Sequence, residues 1–162
     1  MIVLALGANL PSEFGAPHES LRAALRRLPE QGVRVRHVSP FYASDAWPNP
    51  ADPPFVNAVA AVETELSPAV LMTVLHALEE LFGRKRSIKN APRTLDLDLI
   101  DYDGRVEEGP PVLPHPALPD RAFVLVPLAD VAPGWRHPVS GKTVEELIAA
   151  LPDRGNSVTR LA

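Results

Sequence analysis

Arg93-Thr94-Leu95-Asp96-Leu97-Asp98-Leu99-Ile100 alternates polar and apolar residues with period two, the pattern of a half-buried β-strand. Leu95, Leu97 and Leu99 fall on one face, and Thr94, Asp96 and Asp98 on the other. Two carboxylates two positions apart on a strand start about 7 Å apart at their backbones and aim the same way. Like charges so placed repel, so cations are expected nearby. Arg84, Lys85, Arg86, Lys89 and Arg93 lie just upstream or at the start of the stretch. Carboxylates beside guanidiniums suit a magnesium–polyphosphate site, in which the metal takes carboxylate oxygens and the arginines take phosphate oxygens. Alone, an aspartate pair on a strand is more often the solvated face of an antiparallel sheet. The basic segment shifts the reading toward chemistry.

Working outward, residues 2–6 form an apolar run that ends at Gly7-Ala8-Asn9, a buried strand meeting a turn. Pro17 opens a helix at the position proline tolerates best. Leu21, Ala24, Leu25 and Leu28 give that helix one apolar stripe, and Pro29 and Gly32 end it. Val33, Val35 and Phe41 read as one strand extended to about Ser44. A third spans Phe55 to Leu66, with Asn57 as the odd polar residue on the face of Phe55, Val59 and Ala61. Ser67-Pro68 is a helix start, serine capping and proline in the first turn. Leu71, Val74, Leu75, Leu78, Leu81 and Phe82 supply its stripe and Gly83 a C-cap. After residues 94–102, Asp103-Gly104 signals a turn. A proline-rich loop and an apolar segment from Phe123 to Leu128 follow. Thr143 to Glu146 has capping-box spacing and starts a last helix.

The order β-α-β-β-α-β to residue 103 predicts an α+β, ferredoxin-like sandwich with both helices on one face of the sheet. Residues 104–162 then form a C-terminal extension, and 1–162 a single domain. The chain has 162 residues, a net charge of −4 and no cysteine. A disulfide framework and a thiolate metal site are excluded. The negative balance disfavours nucleic acid and anionic membrane as partners. No run is long and apolar enough to span a bilayer. Met1 leads straight into Ile2-Val3-Leu4 without a basic leader, so a cytoplasmic location is expected. Proline is the compositional outlier, with 19 residues, nine of them clustered at 48–54 and 110–119. These clusters mark loops, where binding groups tend to sit.

Other side chains have two readings each. Asn57 carries donor and acceptor edges that suit a heterocycle bearing both, or it is an ordinary strand-edge polar group. Phe55 and Phe123 can sandwich a flat ring, or fill a core. Glu79 can orient one of the arginines, or be an ordinary exposed helix residue. His115 can donate to a phosphate, or be a surface histidine. Ser140-Gly141-Lys142-Thr143 looks like the end of a phosphate-cradling loop. Position 136 is arginine where that motif needs glycine, so Thr143 is read as a helix cap.

The run Lys89-Asn90-Ala91-Pro92-Arg93-Thr94-Leu95-Asp96-Leu97-Asp98-Leu99-Ile100 resembles the signature of the 6-hydroxymethyl-7,8-dihydropterin pyrophosphokinases of folate biosynthesis. Companion matches stand in order along the chain. They are Leu6-Gly7-Ala8-Asn9-Leu10, Phe55-Val56-Asn57-Ala58, Gly83-Arg84-Lys85-Arg86, Leu113-Pro114-His115 and Arg121-Ala122-Phe123-Val124-Leu125. The resemblance implies a ferredoxin-like fold and an ATP-dependent reaction with two magnesium ions. The pterin hydroxymethyl oxygen would attack the β-phosphorus of ATP, and AMP would leave. By the same resemblance Asp96 and Asp98 hold the metal, and Asp98 assists the hydroxyl. The resemblance also implies that Arg84 and Arg93 would act in catalysis, and that these two with Arg86 and His115 would contact the phosphates. Glu79 matches a nucleotide-side carboxylate. Asn57 would hydrogen-bond the pterin, Phe55 and Phe123 would stack on it, and Gly7, Asp45, Ala46 and Trp47 would line its pocket.

The chain departs from the family pattern in two loops. The loop before Arg93 is one residue shorter and has Asn90 where many members have tryptophan, and Pro116 stands where many have an aromatic residue. The expected partners are small molecules and the expected state a monomer. Two other readings fit the sequence less well. A ligand-sensing module on the same topology has no need of paired carboxylates beside arginines. A nucleic-acid-binding ferredoxin-like domain would carry stacked aromatics on its central strands.

Overall fold

The apolar run after Met1 becomes strand β1 (Ile2–Ala8), buried along its whole length. It lies between two antiparallel neighbours, β4 (Phe55–Thr64) and β5 (Asp96–Tyr102). The computed structural model describes residues 1–46, 49–83 and 92–161. The strand order is β5-β1-β4-β3-β6, with β3 at Tyr42–Ser44 and β6 at Thr159–Arg160, and β2 (Val33–Val38) also pairs with β4. Helices α1 (Pro17–Arg27) and α2 (Pro68–Leu81) connect these strands. The layout is the expected ferredoxin-like α+β sandwich.

Both helices bury their stripes on one face of the sheet. Leu21, Ala24 and Leu28, with Leu71, Leu75 and Leu78, meet Ile2, Leu4, Leu6, Leu97 and Leu99 in one core. The punctuation works as the side chains dictate. The Ser67 hydroxyl accepts the Val70 N–H at 3.3 Å, satisfying a donor that the first helical turn leaves open. Gly32 ends the 3-10 turn after α1 at φ 83°, a conformation that glycine adopts without strain.

Three expectations need correction. The strand expected from Val33 to about Ser44 is two strands. Val38 opposes Ala60 and Tyr42 opposes Asn57, so four steps along one strand span three along the other. Pro40 sits in this interruption and has no N–H for the ladder. Ser39 bridges the gap, its N–H donating to the Val59 carbonyl and its hydroxyl accepting the Val59 N–H. Leu81 is 47% exposed, off the stripe that continues to Phe82. Glu79 is not an exposed helix residue but is fully buried.

The C-terminal extension covers part of the second face. Helix α3 (Ala122–Val131) takes up the apolar segment that began at Phe123, and α4 (Val144–Ala149) packs beside it. Val124, Leu125, Leu128, Trp135, Val144 and Leu147 join Val3, Ala5, Val59 and Ile100 in a second core. A helix wedged between a sheet and another helix is apolar nearly all round. This is why α3 has no polar stripe and why its period is hard to see. Thr143 caps α4 in a reciprocal box, its hydroxyl accepting the Glu146 N–H and Glu146 accepting the Thr143 N–H. The pairing of β1 with β5 slips between Val3 and Leu4, which oppose Asp101 and Leu99. Ile100 is the extra residue of this bulge. Among the described residues no helix is long and apolar enough to cross a membrane.

Candidate active site

Where α3 and α4 stop covering the second face, a cavity of about 580 Å³ opens over β5, β1, β4 and β3. Asp96 and Asp98 both face it from β5, opposite Gly7 and Ala5 of β1. Each carboxylate faces an arginine. Arg93 Nη1 lies 3.2 Å from Asp96 Oδ2, and Arg121 Nη1 lies 3.4 Å from Asp98 Oδ2. The side chains of Asp96 and Asp98 remain 23% and 27% exposed, open to an incoming ligand. The two guanidiniums offset the like-charge repulsion of the carboxylates.

Arg93 is held from the other side of the sheet edge. Asn9 Oδ1 accepts the Arg93 N–H at 2.6 Å, and the Arg93 carbonyl accepts the N–H groups of Asn9 and Leu10. Asn9 is 3% exposed and also donates to the Pro53 carbonyl, tying the first proline loop to the same point. Behind β5, Glu79 Oε2 accepts the Leu97 N–H at 2.8 Å. β5 is the sheet's edge, so this carboxylate satisfies an outward donor of the residue between the two aspartates.

The other end of the cavity is built from β4, β3 and α3. Asn57, only 3% exposed, lines it with Phe55, Phe123, Ser44, Asp45 and Ala46. Asn57 Nδ2 donates to the Ser44 hydroxyl at 2.8 Å, which fixes the amide plane. Gly7 lines the floor, where an added Cβ would come within 3.3 Å of Asn57 Oδ1 and 3.7 Å of Phe55. A bare backbone here keeps space open beside the amide. Phe123 is 37% exposed at the start of a helix whose Val124, Leu125, Pro127 and Leu128 are buried, and the Arg121 guanidinium lies 5.6 Å from its ring centre.

His115 stands beside the cavity rather than on its wall. Its N–H donates to the Ile100 carbonyl at 2.9 Å, and its Nδ1 accepts the Ala117 N–H at 3.2 Å. Burial lowers its pKa from the ordinary 6.5; Arg121 pushes the same way and Asp96 opposes. With Nδ1 accepting, the neutral ring carries its proton on Nε2 and can donate there.

Of the residues singled out in the sequence, the cavity gathers Gly7, Asp45, Ala46, Phe55, Asn57, Arg93, Asp96, Asp98 and Phe123. Glu79 lies behind the strand. Trp47, Arg84, Arg86 and the rest of the basic segment through Ala91 lie outside the described residues. Sequence reasoning missed Arg121, Ser44, Ser157 and Val158, all on the wall. Arg121 carried a signal, since it stands immediately before the apolar segment that holds Phe123. The tail residues carried none.

A pocket lined by two aromatic rings and running into paired carboxylates and guanidiniums has the layout of a group-transfer enzyme acting on a polyphosphate. The family model described as 7,8-dihydro-6-hydroxymethylpterin-pyrophosphokinase matches residues 3–133. A 2-amino-4-hydroxy-6-hydroxymethyldihydropteridine pyrophosphokinase of Pseudomonas aeruginosa is 45% identical over 159 residues, 95% of this chain and 93% of that protein. A Synechocystis protein of the same name is 42% identical over 148 residues, covering 90% of this chain and 73% of its own. In fold, the chain is similar to the Plasmodium falciparum HPPK-DHPS structure with pteroate, at a TM-score of 0.66 and 13% identity. That likeness covers 90% of this chain and 41% of the other, so this chain spans about two fifths of that longer polypeptide. The chain belongs to the 7,8-dihydro-6-hydroxymethylpterin-pyrophosphokinase family.

Proposed function

We propose that this chain transfers the pyrophosphoryl group of ATP to 6-hydroxymethyl-7,8-dihydropterin, a step of folate biosynthesis, and releases AMP. The hydroxymethyl oxygen attacks the β-phosphorus, the bond from that phosphorus to the α,β-bridging oxygen breaks, and AMP leaves with that oxygen. The hydroxyl proton passes to Asp98 or to water. The observation that carries the reading is the single cavity joining a flat-ring pocket to Asp96, Asp98 and Arg93. A reaction between two bound substrates needs both reacting atoms held together, and positioning supplies much of its rate.

At the pterin end, Asn57 binds the heterocycle edge, Phe55 and Phe123 sandwich the ring, and Gly7, Asp45, Ala46 and Trp47 shape the pocket. At the phosphate end, Asp96 and Asp98 suit Mg²⁺, because both offer hard carboxylate oxygens on one open strand face. Two magnesium ions bound there would neutralise polyphosphate charge. Arg93 and Arg121 hold the carboxylates in place and face the transferring group, and Arg84 and Arg86 take phosphate oxygens from the basic segment. Neutral His115 donates to a phosphate. Glu79 acts on the nucleotide side through β5, by holding Leu97 between the aspartates. The enzyme works as a cytoplasmic monomer of one domain on small molecules, without nucleic acid or membrane.

The test is the identity of the nucleotide product. Incubation with ATP, magnesium and the hydroxymethyl-dihydropterin should yield AMP and the pyrophosphorylated pterin in equal amounts by chromatography. Formation of ADP instead would refute the transfer.

A further inference from the structure

The segment from Asp153 to Arg160 builds part of the cavity, although it lies beyond residues 3–133 matched by the family model. Ser157 and Val158 line the cavity next to Ser44, Asp45 and Ala46. This is the end farthest along the strand order from Asp96 and Asp98. The tail reaches it through a tight turn. The Asp153 carboxylate accepts the N–H groups of Gly155 and Ser157, each at 3.0 Å. Gly155 has φ 79°, and an added Cβ would lie 2.8 Å from Val126 Cγ2, so the turn is pressed against α3. The chain then enters β6, which pairs with β3, and the Leu161 N–H donates to the Phe41 carbonyl at 2.8 Å.

Strand β3 has three residues, too few to hold a position as a sheet edge unaided. It is fastened on every side. β4 pairs with it along one edge, β6 along the other, and the Tyr42 hydroxyl donates to Asp130 of α3. Ser44, its last residue, fixes the Asn57 amide.

We infer that the tail from Asp153 to Arg160 is a wall of the pterin end of the cavity. In this assignment Ser157 and Val158 meet the bound heterocycle, and β6 keeps Ser44 and the Asn57 amide in register. The inference rests on the assignment of that end to the pterin. It makes the tail a determinant of pterin affinity and leaves the phosphate end untouched.

Two point variants of the full chain test it by steady-state kinetics in each substrate. Ser157→Trp fills the wall from an exposed position that does not disturb the core. It should raise KM for the pterin about tenfold with kcat and KM for ATP within about twofold, the signature of lost ground-state binding. Asp153→Ala loosens the turn from outside the cavity and should raise the same KM about threefold. Asn57→Ala is the control for the pocket itself. If Asn57→Ala weakens the pterin while both tail variants leave its KM unchanged, the wall assignment is wrong and the pocket stands. If the tail variants move KM for ATP instead, the assignment is also wrong. If Asn57→Ala leaves the pterin KM unchanged, the pocket assignment beneath the inference is what fails. Thermal unfolding of each variant near the parent Tm confirms that the kinetics report on folded protein.

Discussion

Asp96, Leu97, Asp98 and Leu99 are neighbours on one strand, yet they meet opposite worlds. The leucines enter the core beneath α1 and α2, where Leu4, Leu21, Leu71 and Leu75 are fully buried. The aspartates face a cavity and keep about a quarter of their surface. Strand pleating alone makes this separation. The closed face carries stability, and the open face carries charge that no packed core would tolerate unpaired. On the closed side the buried carboxylate of Glu79 accepts a backbone donor of the same strand.

The largest expected effect breaks the open face without touching the closed one. Asp98→Ala should lower the rate of AMP release on the order of 10³-fold, about 4 kcal/mol of barrier. Thermal unfolding should stay near that of the parent, because the side chain contributes nothing to the core. Leu75→Ala tests the reverse. It should cost about 3 kcal/mol in urea unfolding, from lost burial and the cavity left behind, while kcat of the folded fraction is unchanged. A large fall in kcat there would show that the two faces are not separate.

Glu79→Ala probes the joint between them. Removing the acceptor strands the Leu97 N–H and should cost about 2 kcal/mol of stability. It should also lower kcat, because Leu97 sits between the aspartates. The smallest effect sharpens the electrostatics. Proton titration of His115 by NMR should give a midpoint below the ordinary 6.5, and Arg121→Ala should raise it toward that value. The unfolded chain takes up this proton while the folded ring stays neutral. The His115 contribution to stability is therefore complete above about 6.5 and is lost as pH falls toward the folded value.

How much of this was legible in the sequence follows from the same contrast. The faces of β5, α1 and α2 were readable because each buries one side, and burial writes a period into the chain; β1 and β4, buried on both faces, were readable as apolar runs bounded by turn signals. Helix α3 was not, since an element apolar nearly all round has no polar side to set its phase. Strand β2 ran into β3 because Val33, Val35 and Phe41 continue an apolar pattern, and only pairing with β4 reveals the bulge at Pro40. Glu79 read as exposed because a glutamate in a helix usually is, and its partner, a backbone N–H, has no sequence signal. In the candidate site, Asp96, Asp98, Arg93 and Asn57 stood out as polar residues in patterned strands. Ser44, Ser157 and Val158 are ordinary residues made important by tertiary placement.

The hydrogen bond between Asn57 and Ser44 has a consequence for selection among guests. Ser44 takes one amide hydrogen and leaves the other, with Oδ1, for whatever enters. A serine hydroxyl donates as well as accepts, so half a turn of that amide would reverse the shared bond rather than lose it. The reading edge can therefore present its donor and its lone pairs in either order, at the expense of one hydroxyl rotation. Two heteroaromatics of the same outline and opposite donor–acceptor sequence should then be received with similar ease.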